Sequence, residues 1–143
     1  MAPEFFRAGA GALIAVCRIL LIEDAQIVRE PLARLLQSEG FEVLSAADGH
    51  EAMALLEEHG ASLILLDVLM PRMDGVRFME TLRADVRFND TPVIALTGTS
   101  DTTRLNRIRA LGVRAVMHKV RFTFDELLNE MRRHLPDSCN APV

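Results

Sequence analysis

Three observations predict an α/β fold built on a doubly wound, five-stranded parallel sheet of order 2-1-3-4-5. From Arg18 onward, short apolar runs alternate with amphipathic stretches. The apolar runs show no inside-outside alternation, Leu63-Ile64-Leu65-Leu66 most plainly, as expected of strands buried on both faces. Polar residues follow one run after another at its carboxyl end, where open sheets of this kind bind ligands.

Taken in order, Ile19 to Ile22 is the first strand and ends in Glu23-Asp24. Val28, Leu32, Leu35 and Leu36 recur at helical spacing, and Gly40 stops that helix. Pro31 is tolerable there only in or near the first turn. Phe41 to Ala46 is the second strand, and Asp48-Gly49 turns the chain into a helix carrying Ala52, Met53, Leu55 and Leu56, which stops at Gly60. The third strand, Leu63 to Leu66, runs out at Asp67, and Pro71 and Gly75 mark the loop that follows. Val76, Phe78, Met79 and Leu82 form the apolar side of the third helix, broken by Asn89-Asp90-Thr91-Pro92. Val93 to Leu96 is the fourth strand, ending at Thr97-Gly98. Thr99 or Ser100 can cap a helix through Leu105 and Ile108 to Leu111, stopped by Gly112. Val113 to His118 is a shorter, more mixed fifth strand, as an edge strand would be. Phe124 to Leu135 is the last helix, with Leu127, Leu128 and Met131 inward, and Pro136 ends it.

The 143 residues fit one domain with one core. We assign residues 18–135 to that domain, 1–17 to an N-terminal extension and 136–143 to a tail. The extension is Ala/Gly-rich with Phe5 and Phe6, and Glu4, Arg7 and Arg18 keep its apolar run well short of a membrane span. An added helix or a contact to a second copy are alternatives for it. A net charge of -4 argues against general nucleic-acid binding. Cys17 and Cys139 have neither metal-ligand spacing nor a disulfide framework, so both read as structural or incidental and the default compartment is the cytoplasm. Of 16 basic residues only Lys119 is a lysine, which points to a position needing a compact ammonium rather than a planar fork.

The strand ends converge on one constellation: Glu23 and Asp24, Asp67, Thr97 and Lys119. Three carboxylates in one pocket repel unless a cation sits among them. With no His or Cys beside them, Mg2+ suits the site better than zinc. Asp67 is then free to act as a nucleophile toward a phosphoryl group, with the metal and Lys119 neutralising its oxygens and the Thr97 hydroxyl donating to a third.

From about Arg18 to Leu135 the chain resembles the receiver domain of two-component response regulators. The resemblance lies in Glu23-Asp24, in Asp67-Val68-Leu69-Met70-Pro71-Arg72-Met73-Asp74-Gly75, in Thr97 and in Lys119. It implies a flavodoxin-like three-layer sandwich and a stand-alone phosphoacceptor switch that is not an enzyme in its own right. It also implies that Asp67 accepts phosphate from a histidine kinase or phosphotransfer protein. Asp24, Asp67 and the backbone carbonyl of Leu69 would ligate Mg2+, Glu23 would act through water, and Thr97 and Lys119 would bind the phosphoryl group. Output would pass to another protein, or to a second copy, over the fourth helix, fifth strand and fifth helix, with no direct nucleic-acid or membrane partner; relay to a phosphotransfer histidine is the other route.

Three positions depart from the family pattern. Val116 stands where the family usually has an aromatic switch residue and has no ring to swing inward. Val120 follows Lys119 where proline is usual, and a cis bond before valine would cost about 3 kcal/mol. Gly98 stands where alanine is common. Val116 and Val120 favour an alternative, a receiver-like dimer or adaptor that signals without phosphorylation; the complete acidic pair, Asp67, Thr97 and Lys119 oppose it. An aspartyl-phosphate phosphatase would need an acid-base group where Leu69 stands. His118 reads as a packing or surface residue, and His50, His59 and His134 as surface residues. Met70, Met73, Met79 and Met117 read as gap-filling core or loop residues. Arg104, Arg107, Arg109, Arg114 and Arg121 read as solvated faces, with docking of an acidic partner or a second copy of the chain as the functional alternative. Leu69 and Thr99 flank the site and should influence water access.

Overall fold

The structure, a computed structural model, describes residues 4–8, 12–69, 74–98 and 100–140, with residues 4–8, 12–16 and 140 described by their backbone. Met70, Pro71, Arg72, Met73 and Thr99 lie outside the described residues, as do 1–3, 9–11 and 141–143 of the expected extension and tail. The strands are β1 (Glu4–Ala8), β2 (Ala12–Val16), β3 (Arg18–Ile22), β4 (Glu42–Ala46), β5 (Leu63–Asp67), β6 (Val93–Thr97) and β7 (Ala115–His118). The helices are α1 (Gln26–Ser38), α2 (Gly49–His59), α3 (Gly75–Ala84), α4 (Thr102–Ala110), α5 (Phe124–His134) and α6 (Asp137–Asn140).

Strands β3 to β7 are the five expected ones, all parallel in the order β4-β3-β5-β6-β7, which is the predicted 2-1-3-4-5. The unbroken apolar runs follow from this: β5 and β6 are buried at every residue because helices cover both faces. On one face Leu20, Ile22, Ile64, Leu66, Val93 and Ala95 pack against Leu56 of α2, Phe78, Met79 and Leu82 of α3 and Ile108 of α4. On the other, Ile19, Leu21, Leu63, Leu65, Ile94 and Leu96 meet Leu36 of α1 and Leu127, Leu128 and Met131 of α5.

Local chemistry sets the helix starts. Asp48 caps α2 by accepting from the Glu51 amide (2.9 Å), and Thr123 caps α5 by accepting from the Glu126 amide (3.2 Å). Helix α4 is capped by Asp101, which accepts from the Arg104 amide (3.2 Å), and not by Thr99 or Ser100. Aspartate outranks threonine as a cap, and it directly precedes the first helical residue. Pro31 lies in the second turn of α1 rather than the first. The carbonyl it leaves without a helical donor belongs to Ile27, which is 86% exposed, so water can take that bond.

Two features outside the core sheet depart from expectation. Among the described residues of the N-terminal segment, β1 and β2 pair as an antiparallel ribbon in place of an added helix, and α6 adds a short helix after Pro136. Cys17 and Cys139, expected to be unconnected, form a disulfide with a Cα separation of 5.6 Å. The parallel sheet explains the meeting. A helix that follows a parallel strand runs back against it, so the carboxyl end of α5 returns to the pole where β3 begins. Residues 122 apart in sequence are thereby neighbours. Cross-linking so long a loop restricts the unfolded chain strongly. Reduction, or Cys139→Ser, is expected to lower stability by about 2–4 kcal/mol, read as a shift of the urea midpoint between oxidised and reduced samples.

Candidate functional site

The carboxyl pole of the sheet gathers the residues the sequence singled out. Glu23 and Asp24 follow β3, Asp67 ends β5, Thr97 ends β6 and Lys119 follows β7. Glu23, Asp67 and Thr97 are buried, Lys119 is half-buried and Asp24 is exposed. Each carboxylate offers an oxygen, and those of Glu23, Asp24 and Asp67 lie within 4.8 Å of one another. The Lys119 ammonium donates to both Glu23 oxygens (3.0 and 2.9 Å) and stands 3.3 Å from Asp67 Oδ1.

Backbone contacts fix these positions. The Val68 amide donates to the Leu96 carbonyl (3.1 Å) and the Lys119 amide to the Thr97 carbonyl (2.8 Å), carrying the ladders past the strand ends. The Leu69 amide donates to Asp67 Oδ1 (3.2 Å), which turns the carboxylate toward the loop. Gly75 returns the chain against Val68, its amide donating to the Val68 carbonyl at 2.8 Å. A Cβ at Gly75 would stand 2.8 Å from the Val68 Cα and carbonyl oxygen, so only glycine closes this loop. Asp74 caps α3 by accepting from the Arg77 amide (2.9 Å).

Arg29 was not singled out in the sequence. From the first turn of α1 its guanidinium donates to the Glu23 carbonyl (2.7 Å) and the Asp24 carbonyl (3.2 Å), holding the acidic turn in place. Its only sequence signal is an arginine five residues after an acidic pair. Val116 packs, partly buried, on the α2–α3–α4 face. No peptide bond among the described residues is cis, Lys119–Val120 included. Val120 is 83% exposed and Leu69 46%, so both offer apolar surface beside the site.

The electrostatics follow from crowding. Burial, then hydrogen bonding to and charge on Glu23, push the Asp67 carboxyl up to about 8; Lys119 opposes the shift and Asp24 adds to it. Burial alone would lower the Lys119 pKa, but the Glu23 and Asp67 carboxylates together outweigh it, so the ammonium titrates above its ordinary value. The donor set is all oxygen, with one carboxylate open to solvent, which fits a hard divalent cation that keeps several waters.

A carboxyl whose folded pKa lies above its unfolded value destabilises the fold as pH rises between the two. The unfolded chain loses the Asp67 proton near pH 3.8 and the folded chain keeps it until about 8. In chelator, stability is therefore expected to fall from pH 4 to 8. Asp67→Asn is expected to flatten that slope and to exceed the parent by at least about 1 kcal/mol at pH 8, with the two converging near pH 4, as read by urea unfolding.

The family model of the response regulator receiver domain matches residues 19–132. Protein PilG of Pseudomonas aeruginosa is 29% identical over 119 residues, 83% of this chain and 87% of PilG. Transcriptional regulatory protein PdtaR of Mycobacterium tuberculosis is 36% identical over 112 residues, 78% of this chain and 53% of PdtaR, so the chain spans about half of that relative. Among solved structures, the chemotaxis protein CheY4 of Vibrio cholerae superposes with a TM-score of 0.78 at 30% identity, covering 85% of this chain and all of CheY4. The response regulator TrrA of Thermotoga maritima, solved in complex with Mg2+ and beryllium fluoride, superposes at 0.73 with 29% identity, covering 84% of this chain and all of TrrA. With its five-stranded order, its acidic cluster at the strand ends and this match over most of its length, the chain belongs to the response regulator receiver domain family.

Proposed function

We propose that this chain is a phosphoryl-accepting switch in which Asp67 takes a phosphoryl group from a histidine kinase or a histidine phosphotransfer protein. An Asp67 carboxylate oxygen attacks phosphorus in line. The bond from phosphorus to the donor's imidazole nitrogen breaks, and that nitrogen keeps the electron pair. Asp24, Asp67 and the Leu69 carbonyl would hold Mg2+, with Glu23 acting through water. When bound, the ion would supply positive charge against the phosphoryl oxygens and offset the crowding that raises the Asp67 pKa. Lys119 shifts from Glu23 to a phosphoryl oxygen, and the Thr97 hydroxyl donates to another.

The observation that carries this reading is the close set of Glu23, Asp24 and Asp67 with the Lys119 ammonium 3.3 Å from the Asp67 oxygen. In this reading residues 18–135 are the receiver, and 1–17 and 136–143 flank it. Among the described residues no helix is long and apolar enough to cross a membrane. Output passes through altered protein binding over α4, β7 and α5, to another protein or a second copy, or through relay to a phosphotransfer histidine.

Intact mass after incubation with acetyl phosphate is the test. One phosphoryl increment is expected, dependent on Mg2+ and absent in Asp67→Ala, with Lys119→Met slowing its appearance about 100-fold. No increment in a folded, Mg2+-binding sample overturns the reading in favour of an adaptor that works without phosphorylation.

A further inference from the structure

The imidazole of His118 shares a sheet face with the Thr97 hydroxyl group. Thr97 and His118 are register partners across the β6–β7 ladder. Side chains alternate along a strand, and parallel partners at one level project to the same side. The core confirms the phase here: the partners Ile94 and Ala115 both pack on the α1–α5 face, Ala95 and Val116 on the α2–α3–α4 face, and Leu96 and Met117 on the α1–α5 face again. Thr97 and His118, the next pair, therefore stand side by side on the face that carries α4, about 5 Å apart at the spacing of neighbouring strands.

The imidazole also meets the turn that follows β7, where the Val120 amide donates to His118 Nδ1 at 3.4 Å. One step back on the same face Val116 is small and only partly buried.

Helix α4 on this face is lightly held near its start. Its one fully buried side chain is Ile108, late in the helix. Its other ties to α3 are Arg104–Asp74 (3.4 Å) and Arg107–Glu80 (3.6 Å), between side chains that are 30–53% exposed. Such pairs contribute at most about 1 kcal/mol each. The first turn of α4 is therefore held by less buried apolar surface than its last turn.

We propose that His118 is the positioning residue that passes the state of Thr97 to α4. When Thr97 turns its hydroxyl group to a bound phosphoryl group, the neighbouring imidazole re-orients and α4 shifts with it. This rests on the phosphoacceptor reading of Asp67.

The test uses the whole chain with 15N-labelled histidine and backbone, with Mg2+ and beryllofluoride as the phosphoryl mimic. The 19F signal of bound beryllofluoride reports occupancy in the same tube. With the site occupied, the His118 Nε2 and Nδ1 resonances are expected to shift, those of His50, His59 and His134 to stay, and the α4 amides from Thr102 to Ala110 to move. In His118→Val the 19F signal is expected to persist while the α4 shifts are lost. A bound 19F signal with a silent His118 ring, or with α4 responding fully in His118→Val, overturns the proposal and leaves the phosphoacceptor reading standing. No bound 19F signal in the parent overturns both.

Discussion

The structure depends on one ammonium group set among carboxylates. Five parallel strands end at one pole, and two of them deliver Glu23, Asp24 and Asp67 to a space where their oxygens come within 4.8 Å of each other. Left alone, that arrangement would force the strand ends apart or hold protons on the carboxyls. Lys119 resolves part of the conflict from the far strand, β7, by contacting Glu23 and Asp67 at once. It thereby links β3, β5 and β7 across the top of the sheet. An arginine fork would not seat as compactly between two carboxylates that lie on different strands, and this accounts for the single lysine in a chain of 15 arginines.

The backbone supports this charge cluster with close tolerances. Gly75 presses on Val68 at a distance no Cβ permits, and the Leu69 amide donates to the Asp67 carboxylate. The same short loop ends in Asp74, which caps α3 and pairs with Arg104 of α4. One segment therefore shapes the site, starts one helix and touches the next. Arg29 does the corresponding work on the other side by gripping the carbonyls of Glu23 and Asp24.

Much of this was legible in the sequence because the relevant signals are local. Unbroken runs such as Leu63-Ile64-Leu65-Leu66 give two-sided burial directly, and Thr97 and Lys119 stand at strand ends whichever way the helices pack. What escaped was set by long-range geometry. The Cys17–Cys139 bond joins residues at the two ends of the fold, which only the return of α5 to the start of β3 brings together. The Ala12–Val16 strand is apolar throughout and carries no period to separate strand from helix. Arg29 acts on carbonyls, and a carbonyl leaves no mark in a sequence. Asp101 displaced Thr99 and Ser100 as the cap of α4 because three adjacent polar residues compete and a one-residue difference decides between them.

The helices differ in how they are held, and the difference has a direction. Helix α5 buries Leu127, Leu128 and Met131, and α3 buries Phe78, Met79 and Leu82, whereas α4 buries only Ile108. The carboxyl end of α4 is nevertheless firmly fixed. The Arg83 guanidinium, its pKa lowered by burial, donates to the carbonyls of Leu111 (2.9 Å), Gly112 (3.1 Å), Asn89 (2.9 Å) and Thr91 (2.9 Å). Those bonds satisfy carbonyls after the last turn of α4 and tie the turn to the end of α3. The amino end has exposed ion pairs instead, and it begins four residues after the Thr97-Gly98 strand end. A helix pinned at its far end and weakly tied at the end nearest the carboxylates pivots rather than translates. In the proposed switch, a tilt of α4 about its pinned end would carry a change at the strand ends toward the arginine-rich surface that it shares with β7.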